Sequence, residues 1–334
     1  MRYKKVLILS AAVLLLVWLD ILIPQQSRTY IGPGGIISVD EMLDSSMFTS
    51  KKVPSNFNIV YNKSYISSKK ISDIINAIKG YELEAAQYEF DLSPEDQRKI
   101  SRNILPYMKQ EILHSVFSYL DMDVPRTLKS PVVILVPEMK EVSVFLEGDH
   151  LISIDEYPID IVSDIPGALR EKQIGEIIEV KLLREGETMI LKSRLIPGSD
   201  GQPSIGIMLA NNTPYTELDE DRIINVPNDM IGSSSGMILA LGLVQQLQPD
   251  MMHLGDLKIV GTGSISSEGE VKKISGLNTK MKVAAESGAD LFLYPYSMKE
   301  QVKNNSIGQM KLIAVKDLKD AIEKLQHERT DYMR

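Results

Sequence analysis

The sequence predicts an α+β protein whose folded units follow an apolar N-terminal segment. Three observations carry that expectation. Residues 6–23 are almost wholly apolar, residues 124–196 are dense in short strand patterns separated by turns, and residues 201–330 alternate strand and helix patterns. At 334 residues there is room for about two domains beyond a targeting segment. A composition that is 43% hydrophobic and 25% charged belongs to chains that bury a core.

Composition also excludes several kinds of chemistry. The net charge of −8, with no basic cluster interleaved with aromatics, argues against a nucleic-acid partner. There is no cysteine, which removes disulfides, thiolate metal sites and cysteine nucleophiles together. His114, His150, His253 and His327 are scattered without metal-ligand spacing, so no metal site is expected. No G-x-x-x-x-G-K-[ST] occurs, so no P-loop ATPase is encoded and no cofactor is expected.

The N-terminus begins with the basic "MRYKK" and continues as "VLILSAAVLLLVWLDILI", Val6 to Ile23, broken only by Ser10 and Asp20. Eighteen helical residues span about 27 Å, close to the hydrocarbon thickness of a bilayer. Residues 1–26 are therefore expected to be a single-pass anchor in the cytoplasmic membrane. The basic flank puts the N-terminus inside and the body outside the cytoplasm. A cleaved signal peptide is the competing reading, but no A-x-A-like site follows the run.

Residues 27–122 read as mixed helix and strand: a turn at Gly32 to Gly35 leading into a strand, then a second strand at "NFNIVYN". Helical periodicity runs through "KISDIINAIKGYELEAAQYEF" and "SPEDQRKISRNILPYMKQEILHSVFSYL", the latter starting at Ser93-Pro94-Glu95. Residues 123–200 hold the strands "PVVILV", "HLISID", "IIEVKLL" and "TMILKSRL", with turns at Glu147-Gly148-Asp149 and Glu185-Gly186-Glu187 and a helix in "DIVSDIPGALRE". With "FLEGDHLISIDEYPI" in the middle and "EIIEVKLLREGE" near the end, this segment resembles a PDZ domain over about 70 residues. Domains of that family take extended peptides onto a sheet edge. The departure lies before the first strand, where "RTLKSP" replaces the expected glycine-bearing carboxylate loop. The alternative is a small β-domain that spaces its neighbours. Residues 201–330 then supply "IGIMLA", an apolar helix, "LKIVGTGSI", a helix from about Gly276, "DLFLYPY", "KLIAV" and "DLKDAIEKL".

The candidate chemistry centres on "IGSSSG", Ile231 to Gly236. A Gly/Ser cluster usually marks a spacer. Here it precedes "MILALGLVQQL", whose apolar positions Met237, Leu241, Val244 and Leu247 mark a buried helix, so the serines sit at a helix entrance. A serine hydroxyl needs a base to act as a nucleophile. His253 and His327, the histidines that follow, lie in loop-like and charged-tail contexts unsuited to a triad. A lysine can serve if burial keeps it neutral. Lys280 borders the apolar stripe Leu277, Met281, Ala284, Ala285 and Gly288, whereas Lys282 points to the opposite face. Periodicity leaves open that Lys280 lays its stem along the stripe with its charge in water.

Three sequence blocks carry a more specific resemblance. Gly232 to Gly236, then Thr262-Gly263-Ser264-Ile265 through Gly269-Glu270-Val271, then Ser275-Gly276-Leu277-Asn278-Thr279-Lys280 parallel a pattern of G-P-S-A-G, T-G-x-I-x-x-x-G-x-V and G-G-[LI]-x-x-K. Over some 110 residues this resembles the proteolytic domain of the Lon family, above all its membrane-anchored bacterial members with a PDZ domain and no ATPase. The resemblance implies Ser234 as nucleophile and Lys280 as general base. Thr262 is a supporting neighbour, and Gly232 and Ser235 help frame the turn. Ser233 and Ser235 stand where the family has proline and alanine, and Ser275 where it has glycine. It further implies that residues 27–122 and 201–330 form one discontinuous catalytic domain into which the PDZ-like segment is inserted. The substrate would be a peptide or protein, cleaved without ATP. Ring-forming homo-oligomers are common among such domains, though no interface is legible here. The alternative of another class is a catalytically inactive, membrane-tethered peptide-binding scaffold.

Overall fold

The computed structural model describes residues 28–332 apart from 51–52, 68–69, 80, 84–91, 138–143, 199, 228–231 and 303–307, together with Leu15 and Trp18. The expected anchor at 1–26 lies outside the described residues except for Leu15 and Trp18, both helical and exposed. Among the described residues no helix is long and apolar enough to cross a membrane.

Strands β1 (Arg28–Ser38) and β2 (Phe57–Ser67) form a long antiparallel pair, and β3 (Glu82–Leu83) adds to β1 opposite Tyr30 and Ile31. No turn breaks β1 at Gly32 to Gly35. The register shifts between Pro33 and Gly35, so the glycines accommodate a bulge inside the strand. Helix α1 (Lys70–Ile78) is shorter than its periodicity predicts, with the Tyr81 N–H closing back on Asn76. The long helix expected after Ser93 is two helices, α2 (Pro94–Asn103) and α3 (Leu105–Tyr119), parted at Ile104. Pro106 explains the break: it has no N–H to donate to the carbonyl one turn back, its ring crowds that carbonyl, and it is tolerated in the first turn of a new helix. The Ser93 hydroxyl caps α2, accepting from the Asp96 N–H at 3.1 Å.

The next segment builds an antiparallel sheet. It contains β4 (Lys129–Leu135), β5 (His150–Ile154), β6 (Tyr157–Pro158), β7 (Ile177–Arg184) and β8 (Glu187–Arg194), with the short helix α4 (Ile165–Leu169) between β6 and β7. A two-stranded ribbon, β9 (Ile196–Pro197) with β10 (Pro203–Ser204), follows. Then β11 (Met208–Asn212) returns antiparallel to β4 and closes the order β11-β4-β5-β7-β8. The strand expected to open the α/β unit at 201 therefore completes this second sheet. The β7–β8 hairpin turns on Glu185 and Gly186 at φ 51° and 88°, the primed turn whose twist suits paired strands. Val133, Leu151, Ile178, Val180 and Leu182 fill its core.

The remaining elements rejoin the first sheet. They are α5 (Glu220–Ile223), α6 (Gly236–Leu247), β12 (Ile259–Gly261), the hairpin β13 (Ser264–Ile265) and β14 (Val271–Lys272), α7 (Leu277–Glu286), β15 (Leu291–Pro295), α8 (Lys299–Val302), β16 (Lys311–Val315) and α9 (Leu318–Tyr332). The sheet order is β16-β15-β12-β2-β1-β3, with β12 parallel to both β2 and β15. Period-two alternation sends side chains to both faces. Ile259, Leu291 and Leu293 meet α3, α6 and α9, whereas Val260, Phe292 and Tyr294 meet α7.

Two charged groups give stability predictions. Asp149 is 1% exposed, and its carboxylate accepts from Arg184 Nε and Nη2, both at 2.7 Å, and from the Leu146 N–H. Arg184→Met leaves that carboxylate buried without its counter-charge, an expected loss of about 3–5 kcal/mol in urea unfolding; a loss well below about 1 kcal/mol contradicts the account. Glu111 on α3 is partly buried, and desolvation pushes its pKa up against the opposing charge of Lys272. The folded chain thus holds that proton more tightly than the unfolded chain, and Glu111 loses its stabilising contribution as pH rises from about 4. Glu111→Gln should therefore raise the melting temperature more at pH 7.5 than at pH 4, and an equal shift at both rejects the burial argument.

Candidate active site

Three separated stretches of chain meet around one hydroxyl. Gly232, at φ 105° and ψ 160°, takes a backbone conformation open to glycine and starts a 3-10 turn, Ser233–Ser235, that runs directly into α6. From Gly236 to Gln246 every residue of α6 is buried, so the turn is fixed from below by the core. Ser234 lies at its centre, partly exposed, while Ser235 is buried.

The loop after β12 holds this turn through three bonds. The Gly263 N–H donates to the Ser234 carbonyl at 2.7 Å, the Thr262 hydroxyl donates to the same oxygen at 3.1 Å, and the Met237 N–H donates to the Gly263 carbonyl at 2.9 Å. Thr262 is fully buried, and its own N–H extends the β12–β15 pairing by donating to Leu293. The serine turn is thereby locked to the end of a central strand.

Lys280 comes from the opposite face of the sheet. Helix α7 starts at Gly276, which sits in the left-handed region at φ 62°. A Cβ there would meet Asn62 Nδ2 at 2.2 Å and Ile31 Cγ2 at 2.9 Å, so only glycine lets the helix begin this close to β1 and β2. Asn62 Nδ2 donates to the Gly276 carbonyl at 3.3 Å, and the Lys280 N–H donates to the same carbonyl at 3.0 Å. One turn into the helix, Lys280 is 3% exposed, whereas Lys282 is exposed on the other face. Its Nζ lies 2.9 Å from Ser234 Oγ and 3.1 Å from Thr262 Oγ1.

The structure thus brings together Ser234, Lys280, Thr262, Gly232 and Ser235. His253 is not part of this group: it is half exposed and faces Asp250 at 3.9 Å. His327 is exposed on α9. Among the described residues no cluster of His, Asp and Glu could hold a metal ion. A cleft of about 370 Å³ lies elsewhere, between Leu146–His150 and Leu183–Gly186 of the second sheet, and includes none of these five residues. Sequence reasoning overlooked Asn62 and the Gly263 amide. The second has a signal in the Thr-Gly pair after a strand; the first has none, because its role depends on pairing across 214 positions.

Comparisons with known proteins place part of the chain. No family model matches it. Over 109 residues the chain is 30% identical to Lon protease 2 of Bacillus subtilis (strain 168), a stretch covering 32% of this chain and 19% of that protein. The chain thus matches about a fifth of the length of that relative. Among solved structures, the PDZ domain of an SdrC-like protein from Listeria monocytogenes is matched over 25% of this chain and 90% of its own, at 20% identity and a TM-score of 0.23. A protein from Geobacillus thermodenitrificans, solved in solution, is matched over 24% and 94%, at 25% identity and a TM-score of 0.21. The sequence relationship is to a Lon protease, across about a third of this mixed α+β chain.

Proposed function

We propose that the protein is an ATP-independent serine endopeptidase in which Ser234 is the nucleophile and Lys280 the general base. It is tethered to the cytoplasmic membrane by residues 1–26, with its catalytic part outside the cytoplasm, and its substrates are short or unfolded peptides. The observation that carries this reading is the 2.9 Å approach of Lys280 Nζ to Ser234 Oγ, at a lysine 3% exposed to solvent. Burial penalises the charged form of an amine, and a neutral amine is what the first step requires.

The hydrogen-bond pattern sets the direction of proton flow. Thr262 has one hydroxyl proton, and it goes to the Ser234 carbonyl. Its lone pairs are left for an N–H of Lys280, which turns the nitrogen lone pair towards Ser234 Oγ. As Ser234 Oγ bonds to the scissile carbonyl carbon, its proton passes to Nζ. The carbonyl oxygen becomes an oxyanion, and backbone N–H groups of the serine turn are the donors suited to it. Collapse of the tetrahedral species breaks the C–N bond and passes the proton from Nζ to the leaving amine. Water then attacks the acyl ester, Lys280 takes its proton and returns it to Ser234, and the second fragment leaves as a carboxylic acid. With no unfoldase motif in the chain, the substrate has to arrive extended. The second sheet, whose last strand β11 carries the PDZ-like segment expected at 123–200 on to residue 212, would present or gate it between catalytic halves at 27–122 and beyond 212.

A peptide library incubated with the chain in the absence of ATP tests this. Ser234→Ala and Lys280→Ala should each lower turnover by at least about a thousandfold, and Lys280→Arg should do no better, because a guanidinium does not give up its proton. Turnover that survives Ser234→Ala but disappears in Ser233→Ala or Ser235→Ala moves the nucleophile to a neighbour. Peptide binding without cleavage by the parent chain supports the scaffold reading instead. Thr262→Val should reduce kcat about tenfold to a hundredfold with KM nearly unchanged, since it orients the base without touching substrate; a change confined to KM refutes that role.

A further inference from the structure

Helix α1 (Lys70–Ile78) is amphipathic in the reverse sense. Its polar side is the one turned into the protein: Asn76 is 9% exposed, and the Asp73 carboxylate accepts from the Tyr30 hydroxyl at 2.5 Å. Its apolar side faces out, with Ile74 61% and Ile78 81% exposed and Ile75 exposed between them. A helix docked on a core shows the opposite arrangement. Beside this ridge the Tyr65 and Tyr81 rings stack at 4.8 Å, Tyr65 exposed, and Lys79 Nζ lies 5.8 Å over Tyr81. Lys63 and Lys79 are exposed at its margins. Isoleucine ridge, aromatic flank and lysine rim together form the chemistry of a helix lying in a lipid headgroup boundary.

The chain path brings a bilayer to this face. Arg28 begins β1 opposite Ser67 of β2, and α1 begins three residues after Ser67. The apolar run ends at Ile23, and five residue steps to Arg28 reach at most about 18 Å. Whatever surface holds residues 6–23 is therefore kept within that distance of the sheet end beside which α1 starts. We infer that α1 is a second membrane contact: Ile74, Ile75 and Ile78 insert shallowly into the leaflet that holds the N-terminal run, with Lys63 and Lys79 on anionic headgroups. This rests on the anchored reading of residues 1–26. It goes further in fixing which end of the first sheet faces the lipid, which a lone helix and a four-residue connector leave free.

Two reporters separate the claims. The chain has no cysteine and one tryptophan, Trp18. In the full-length protein, reconstituted in vesicles of zwitterionic and anionic phospholipid carrying nitroxide-labelled acyl chains, Trp18 reports the anchor. A small fluorophore on Ile78→Cys reports α1, and one on Lys192→Cys, exposed on β8, is the control. The expected result is quenching of Trp18 together with quenching at position 78 several-fold stronger than at 192. Quenching of Trp18 with positions 78 and 192 alike overturns the second contact and leaves the anchor standing. Absence of quenching at Trp18 rejects the anchor and this proposal with it. Disulfide-linked dimers of unlabelled Ile78→Cys, with its labelled form unquenched, assign the ridge to a second copy and also overturn the proposal.

Discussion

A primary amine held out of water against a serine hydroxyl is the constraint on which the arrangement around it depends. Transfer of an amine from water to an apolar interior costs several kcal/mol if it stays charged, so its position has to be enforced by groups that are themselves fixed. Each of the three residues that meet there is held by groups outside its own turn. Ser234 is held by a turn whose carbonyl is bonded twice to the β12 loop, Thr262 by the β12–β15 pairing, and Lys280 by a helix start wedged against Asn62 and Ile31. The first two supports share the end of β12, whereas the third comes from β1 and β2, so rigidity at the hydroxyl draws on several strands of the first sheet.

That distribution explains what could be read in the sequence and what could not. Local signals worked where one element decides the outcome. The apolar run after the serines placed a buried helix, and the stripe through Leu277 and Met281 separated Lys280 from Lys282. The Glu185-Gly186 turn followed from a glycine between two strand runs, with Glu185 drawn to φ 51° beside it. Local signals failed where a partner decides. Gly32 to Gly35 suggest a turn, yet ten paired positions on β2 hold them in a strand and the glycines become a bulge. The helical period after Ser93 continues through Pro106 without registering that proline interrupts it. Residues 208–212 carry no mark of which sheet they join, because their partner β4 lies about eighty positions earlier. For the site, residue types and spacing indicated Ser234, Thr262 and Lys280, whereas Asn62 emerges only from the pairing that brings β2 beside α7.

The second sheet is joined to the first through two neighbouring segments that stay paired beyond its strands. Beyond the ends of β4 and β11 the two chains stay together: Thr127 and Thr216 donate to Pro214 and Pro125, and Arg126 bridges Tyr215. The paired segments then run onto α3. There buried Gln110 accepts from the Thr213 N–H at 2.8 Å, and Lys109 pairs with Asp221 at 2.5 Å. Helix α3 lies in the same apolar core as α6, the helix that carries the serine turn. A Gly- or Ser-rich tether would let the second sheet tumble independently. A two-stranded ribbon that is hydrogen-bonded along its length and bonded to Gln110 and Lys109 of α3 restricts that freedom instead. The buried polar face of α3, which would be a poor choice for a helix that only filled space, is accounted for by this duty: it carries the junction on one side and supports α6 beneath Ser234 on the other.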